Sequence, residues 1–174
     1  MVEGEVWKHV VQKGDTVIDA TCGNGFDTLA LLNLVADDDS HNGYVYALDI
    51  QKDALDKTSL LLEESLNSNE SELYLNKLRS FRLIAFNLGY LPGGDKEIIT
   101  RSETTLLALE AAKRILIPGG LIGIVVYIGH PGGREELEAV ETFSAKLSVE
   151  NWICCKLQML NRPCAPIPIF LFRR

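Results

Sequence analysis

Residues 17–28 read Val-Ile-Asp-Ala-Thr-Cys-Gly-Asn-Gly-Phe-Asp-Thr, and they set the architecture expected of the whole chain. A short apolar run ends in Asp19, a glycine-containing turn follows, and a helix is expected to open at Phe26. Gly23 and Gly25 carry no Cβ, so the backbone there can take positive φ and approach a ligand closely. The helix start offers N–H groups without intrahelical partners. A second apolar run, Tyr44-Val45-Tyr46-Ala47-Leu48, ends in Asp49. A carboxylate at the end of a second strand suits a ribose diol. Together these features predict a nucleotide-type cofactor lying across the edge of a parallel sheet.

Outward from this stretch, strand and helix signals alternate, which argues for one α/β domain over residues 1–174 with a mainly parallel sheet and helices on both faces. Val6–Val11 reads as a leading helix, Thr16–Asp19 as the first strand, 26–36 as a helix and Tyr44–Leu48 as the second strand. Asp37–Gly43 is a polar turn. Ala54, Leu55, Thr58, Leu61 and Leu62 mark one helical face. Arg82–Phe86 is a further strand. Residues 67–81 are polar and weakly patterned, so the third strand of a doubly wound sheet is expected to be truncated there. Thr100 and Glu103 fit a capping box before a helix that Pro118-Gly119-Gly120 ends. Leu121–Tyr127 is an apolar central strand, and a helix follows Gly133. Trp152–Met159 and Ile167–Phe172 are expected to pair as an antiparallel hairpin at the sheet edge.

Composition narrows the function. The chain has 174 residues, 47% of them hydrophobic, and a net charge of −7. No apolar run approaches the roughly 20 residues that cross a bilayer, and Glu3 and Glu5 argue against a targeting peptide at this N-terminus. Cys22, Cys154, Cys155 and Cys164 have no metal-binding spacing, so no metal is expected and the thiols read as reduced and buried. Residues 1–86 hold 15 acidic and 7 basic side chains, and 87–174 hold 9 and 10. Any RNA contact should therefore be local and mostly in the second half.

Four constellations carry chemistry. The turn lacks the third glycine of the nicotinamide fingerprint, because position 28 is Thr. It fits an S-adenosylmethionine (SAM) turn, D/E-x-G-x-G-x-G, better, with Thr21 in place of the first glycine. Asp19 would anchor the cofactor's ammonium directly or through water, and Asp49 its ribose hydroxyls. The second constellation, Phe86 to Lys96, is similar to the Asn/Asp-Pro-Pro-aromatic loop of amine methyltransferases, with Leu88 and Gly89 in place of the prolines. Asn87 and the Leu88 carbonyl would orient an amine toward the methyl donor. The third, Tyr127 to Arg134, ends the central strand and offers His130 as proton acceptor or substrate contact. Glu135 and Glu136 read as first-turn helix charges. The fourth, Asn161 to Pro166, offers Arg162 to a phosphate.

The set D-A-T-C-G-N-G-F-D-T (19–28), A-L-D-I-Q (47–51), F-N-L-G-Y-L-P-G-G-D-K (86–96), Y-I-G-H-P-G-G (127–133) and N-R-P-C-A-P-I (161–167) resembles the rRNA methylase family over nearly the whole chain. The resemblance departs at the short segment before Phe86, at Ile128 and at Cys164-Ala165. It implies a Rossmann-like class I fold and SAM-dependent methylation of tRNA, taking the aminomethyl group of wobble (2-thio)uridine to methylaminomethyl. Carried over by motif, the cofactor site comprises Asp19, Thr21, Gly23, Asn24, Gly25, Asp27, Thr28, Asp49, Ile50, Gln51 and Asn87. Asn87, Tyr90 and His130 are the catalytic candidates. Asp95, Lys96, Tyr127, Arg134 and Arg162 are the substrate-side candidates. The partner is the anticodon region of tRNA, and a homodimer is compatible with the sequence. Cytoplasm is expected for a bacterial source, and chloroplast or another organelle for a plant one. A small-molecule amine N-methyltransferase, a nicotinamide-dependent oxidoreductase and a binding module without turnover stay open at this point.

Overall fold

The computed structural model describes residues 2–36, 43–65 and 81–174. Helix α1 (Val2–Val10), strand β1 (Thr16–Asp19), helix α2 (Phe26–Val35), strand β2 (Tyr44–Ala47) and helix α3 (Lys52–Ser65) come first. Strand β3 (Phe81–Leu88), helix α4 (Ser102–Ile115), strand β4 (Leu116–Val126) and helix α5 (Gly133–Ala145) follow. Strands β5 (Trp152–Lys156) and β6 (Ile167–Arg173) end the chain. The polar turn expected at 37–42 and the truncated strand expected before β3 fall outside the described residues.

The described strands form one sheet in the order β2-β1-β3-β4-β6-β5. β1 pairs in parallel with β2 and β3, and β3 in parallel with β4. β6 runs antiparallel to both β4 and β5, so the expected hairpin is present at the edge. Side chains alternate between the two faces. Val17, Leu83, Ala85 and Leu121 pack on one face with Trp7 of α1 and Leu31 and Val35 of α2. Ile18, Ile84, Phe86, Ile122 and Ile124 pack on the other with Leu109 of α4 and Val140 and Phe143 of α5. Burying each such large apolar side chain stabilises the fold by about 1.5–3 kcal/mol before entropy is counted.

This order positions the site. From β1 the chain crosses to β2 on one side and to β3 on the other, so the sheet's switch point lies between β1 and β3. Ligand crevices open outside the carboxyl ends of strands at such a point. Asp19, Asp49, Asn87 and Tyr127 all sit at or just beyond those ends. The loop before β6 returns to the same edge, because Ile167 pairs with Val126.

Three expectations are corrected. No side chain caps α4: its N-cap residue is Arg101, and the Thr100 hydroxyl points elsewhere. Pro118-Gly119-Gly120 does not separate α4 from the strand, because β4 already starts at Leu116 and includes this tripeptide. There the register slips, with Phe81 opposite Leu116 but Leu83 opposite Leu121. Finally, only Cys22 is buried; Cys154 and Cys155 are exposed because β5 is an edge strand that only Trp152 anchors in the core, and Cys164 is exposed on the loop between β5 and β6.

Candidate active site

The glycine turn is held by its own acidic residues. Asp19 is 1% exposed. One of its oxygens accepts from the Thr21 N–H at 3.2 Å and the other from the Thr28 hydroxyl at 2.6 Å. Gly25 enters α2 at φ 87°, and a Cβ there would meet the Thr58 Cα at 2.9 Å, so only glycine lets α2 and α3 approach this closely. No side chain caps α2, which leaves its first N–H groups open to a ligand. Asp49 ties the second strand end to this turn, accepting from the Gly23 N–H at 3.1 Å and the Gln51 N–H at 2.9 Å.

Burial pushes the Asp19 carboxyl up to about 6, against the opposing hydrogen bonds from Thr28 and Thr21. The folded state therefore binds more protons than the unfolded state between about pH 4 and pH 6. Asp19 favours the fold at acid pH, and that contribution is lost as pH rises through about 6. Asp19→Asn keeps the shape and removes the charge, while the Thr28 hydroxyl turns to accept from the new amide. Without cofactor, the variant should be more stable than wild type at pH 7.5, by up to about 3 kcal/mol. Its stability should also be flatter across this window. Denaturant unfolding at pH 5 and pH 7.5 measures both, and parallel curves for the two proteins would remove the assignment.

The second loop is tied to the first. Asn87 donates its backbone N–H to the Thr21 hydroxyl at 2.6 Å and its side-chain Nδ2 to Asp27 Oδ2 at 3.2 Å. Its Oδ1 is buried without a hydrogen-bond partner. Beyond it, Gly89 (φ 141°) exchanges two bonds with Thr100: its N–H donates to the hydroxyl at 2.9 Å and its carbonyl accepts the Thr100 N–H at 2.8 Å. Thr100 and Thr105 then donate to the two oxygens of Glu136 at 2.8 and 2.7 Å. Glu136 is thus not a solvated first-turn charge but a buried post under the loop that follows Asn87. Asn24 donates to the Pro92 carbonyl at 3.3 Å and closes the loop against the turn.

These elements enclose a cavity of about 590 Å³, within the range of small-molecule sites. Of the candidates, Thr21, Gly23, Asn24, Asp27, Asp49, Ile50, Gln51, Asn87, Tyr90 and Tyr127 line it. Asp19, Gly25 and Thr28 do not: they lie behind the turn and shape it, with the Asp19 carboxylate buried off the cavity wall. His130 is also corrected. Its Nδ1 lies 2.8 Å from the Pro131 carbonyl, its ring packs against Gly89 and Gly133, and it meets Tyr90 edge-on. It supports the loop and does not line the cavity. Asp95, Lys96, Arg134 and Arg162 are exposed and lie outside the wall, with Lys96 5.9 Å from the Tyr90 ring centre. The sequence reading did not single out Phe26 and Leu91, although both lie in its motifs, and it missed Ile98, Thr104 and Ala108, apolar or neutral wall residues outside any motif.

The profile of the family described as "Putative rRNA methylase" matches residues 45–173. The chain belongs to this family. A chloroplastic tRNA (mnm(5)s(2)U34)-methyltransferase of Arabidopsis thaliana is 60% identical over 183 residues, covering 97% of this chain and 67% of that protein. An rRNA methylase structure from Clostridium thermocellum superposes with a TM-score of 0.89 at 36% identity, covering 99% of this chain and 96% of that one. The methyltransferase SMU.1697c of Streptococcus mutans, solved in complex with SAH, gives 0.83 at 32% identity, with coverage of 99% and 96%. The fold of this rRNA methylase family member is the Rossmann-like class I methyltransferase fold. Family membership displaces the nicotinamide alternative left open by the turn alone. Among the described residues no helix is long and apolar enough to cross a membrane, and no His, Cys, Asp or Glu cluster could hold a metal ion.

Proposed function

We propose that this chain is a SAM-dependent N-methyltransferase of tRNA that converts 5-aminomethyl-(2-thio)uridine at the wobble position to its methylaminomethyl form. The observation that carries the reading is Asn87 Oδ1, a buried acceptor without a partner on the wall of a cavity that also contains Asp49 and the glycine turn. A buried orphan acceptor costs about 1–3 kcal/mol, and an amine donor would satisfy it.

The residues fit the cofactor. Asp49 is half-buried, and each of its oxygens keeps a lone pair for a ribose hydroxyl beyond its backbone bonds. The uncapped start of α2 and the left-handed Gly25 leave backbone N–H groups for polar ends of the ligand. Bound there, SAM supplies a methyl group on a sulfonium, already reactive toward a neutral amine. Asn87 orients that amine through Oδ1, and the Leu88 carbonyl lies next to it in the chain. Tyr90, Leu91 and Pro92 form the cavity wall on the same side as Asn87. Positioning accounts for most of the acceleration.

The tRNA reaches the cavity from the carboxyl edge, where the loops bearing Lys96 and Arg162 and the first turn of α5 bearing Arg134 emerge. Few cations are available, so RNA affinity is modest and salt-dependent. By analogy with the Arabidopsis relative, a plant source would place the enzyme in the chloroplast. Methyl transfer from labelled SAM to tRNA bearing 5-aminomethyl-2-thiouridine, followed by nucleoside mass spectrometry, tests the reading. Label should appear in methylaminomethyl-2-thiouridine only. Transfer to free amines but not to tRNA would move the assignment to a small-molecule enzyme.

A further inference from the structure

The functional reading leaves the surplus proton without an acceptor, and the cavity wall narrows the choice. The substrate is an aliphatic amine, mostly ammonium at neutral pH, and it must shed a proton before it can attack. Among the described residues the wall contains no Lys, Arg or His; its titratable members are Cys22, Asp27, Asp49, Tyr90 and Tyr127. Burial raises the Cys22 thiol and the Tyr127 phenol above their ordinary ranges, so neither is ready to take a proton at neutral pH. Both Asp49 oxygens are engaged by the backbone at the ribose end. Asp27 stands beside Asn87, with Oδ2 3.2 Å from Nδ2.

Resting on that functional reading, we propose that Asp27 is a catalytic residue: with Asn87 Oδ1 it binds the substrate ammonium and takes its proton before methyl transfer. An ionised carboxylate only accepts hydrogen bonds. It therefore holds the Asn87 amide with Nδ2 toward itself and Oδ1, the orphan acceptor, turned away. Asn87 occupies one Asp27 oxygen, and the other is the natural partner for a second N–H of the same ammonium. The charged or titratable groups whose fields reach Asp27 are Asp19 from β1, Tyr127 beyond β4 and the positively charged N-terminus, which draws its carboxyl down. Burial lifts the Asp27 carboxyl above its ordinary range, against the Asn87 bond, which suits a group that must hold a proton briefly.

The step balances. The ammonium N–H bond breaks and its proton passes to Asp27, leaving a neutral amine and a carboxylic acid. The nitrogen lone pair then forms the N–CH3 bond while the S–CH3 bond breaks, its electron pair staying on sulfur as the neutral thioether. The product is a secondary ammonium, and Asp27 returns its proton to solvent as product leaves.

The test compares wild type, Asp27→Asn and Asp27→Glu in three measurements. The first is kcat/KM against pH on tRNA bearing 5-aminomethyl-2-thiouridine. The second is SAH affinity by calorimetry. The third is the preference of the SAH-loaded protein for that tRNA over unmodified transcript. Wild type should show a plateau below the amine pKa. Asp27→Asn must capture the scarce neutral amine, so its activity should fall about 100-fold at pH 7 and then climb with pH toward wild type. Asp27→Glu should restore part of the plateau. Asp27→Asn should also lose the binding preference, while SAH affinity stays within about threefold. Parallel pH profiles, or a large loss of SAH affinity with the preference retained, would instead assign Asp27 to the cofactor and overturn the proposal. A wild type that neither methylates nor prefers the aminomethyl tRNA would fail the functional reading itself, and the Asp27 assignment with it.

Discussion

Asn87→Ala should lower kcat on aminomethyl tRNA by on the order of 10²- to 10³-fold, the usual cost of removing one preorganised hydrogen-bonding group at a reacting centre. SAM affinity should change little, because Asn87 meets the turn through its backbone N–H, which the substitution retains. A fall in kcat with nearly constant cofactor binding is the signature of a contact that matters at transfer. The variant also strips Asp27 of the hydrogen bond that holds its carboxyl down, so that group should move further upward. The acidic limb of the pH profile should shift to higher pH with it. Single-turnover rates on modified tRNA across pH, alongside calorimetry, measure both effects. A wild-type rate at every pH would remove Asn87 from the catalytic set.

Asp49→Ala should weaken SAM binding by about 1–3 kcal/mol, roughly 5- to 150-fold in affinity. Two losses combine. The ribose diol loses its acceptor, and the N–H groups of Gly23 and Gln51 lose theirs, so the turn loosens where the cofactor rests. Asp49→Asn separates them, since its amide oxygen can keep one backbone bond while the negative charge goes. Its affinity should fall between wild type and Asp49→Ala. Titration of SAM into each folded variant decides the matter, and unchanged affinity in Asp49→Ala would displace the ribose assignment.

Strand and helix placement was largely legible because the periodicities are local. β1 was read as Thr16–Asp19, as observed, and the helix at 26–36 ends one residue early, at Val35. The glycine turn and the two acidic strand ends were legible for the same reason. What failed depends on contacts distant in sequence. Thr100 matched a capping box, yet Glu136, 36 residues on, takes its hydroxyl. Glu136 looked like a surface charge because α5 alone does not say which side faces α4. His130 lay in the right motif, but its ring turns to the glycines beside it and away from the cavity. The Asp27–Asn87 pair joins residues 60 apart. Motif transfer placed Asp27 with the cofactor and could not reveal the amide beside it.

The hydroxyl at position 21 changes what the general SAM-turn signature means in this chain. Where related turns carry a first glycine, Thr21 braces the backbone of Asn87 at 2.6 Å, and its own N–H is fixed by Asp19. One small side chain thus joins the glycine turn to the Asn87 loop. A consensus-minded designer would put glycine there, improve the match to the standard signature, and remove the strut between the two loops. At this position a side-chain contact between two loops stands where the general signature has only backbone freedom.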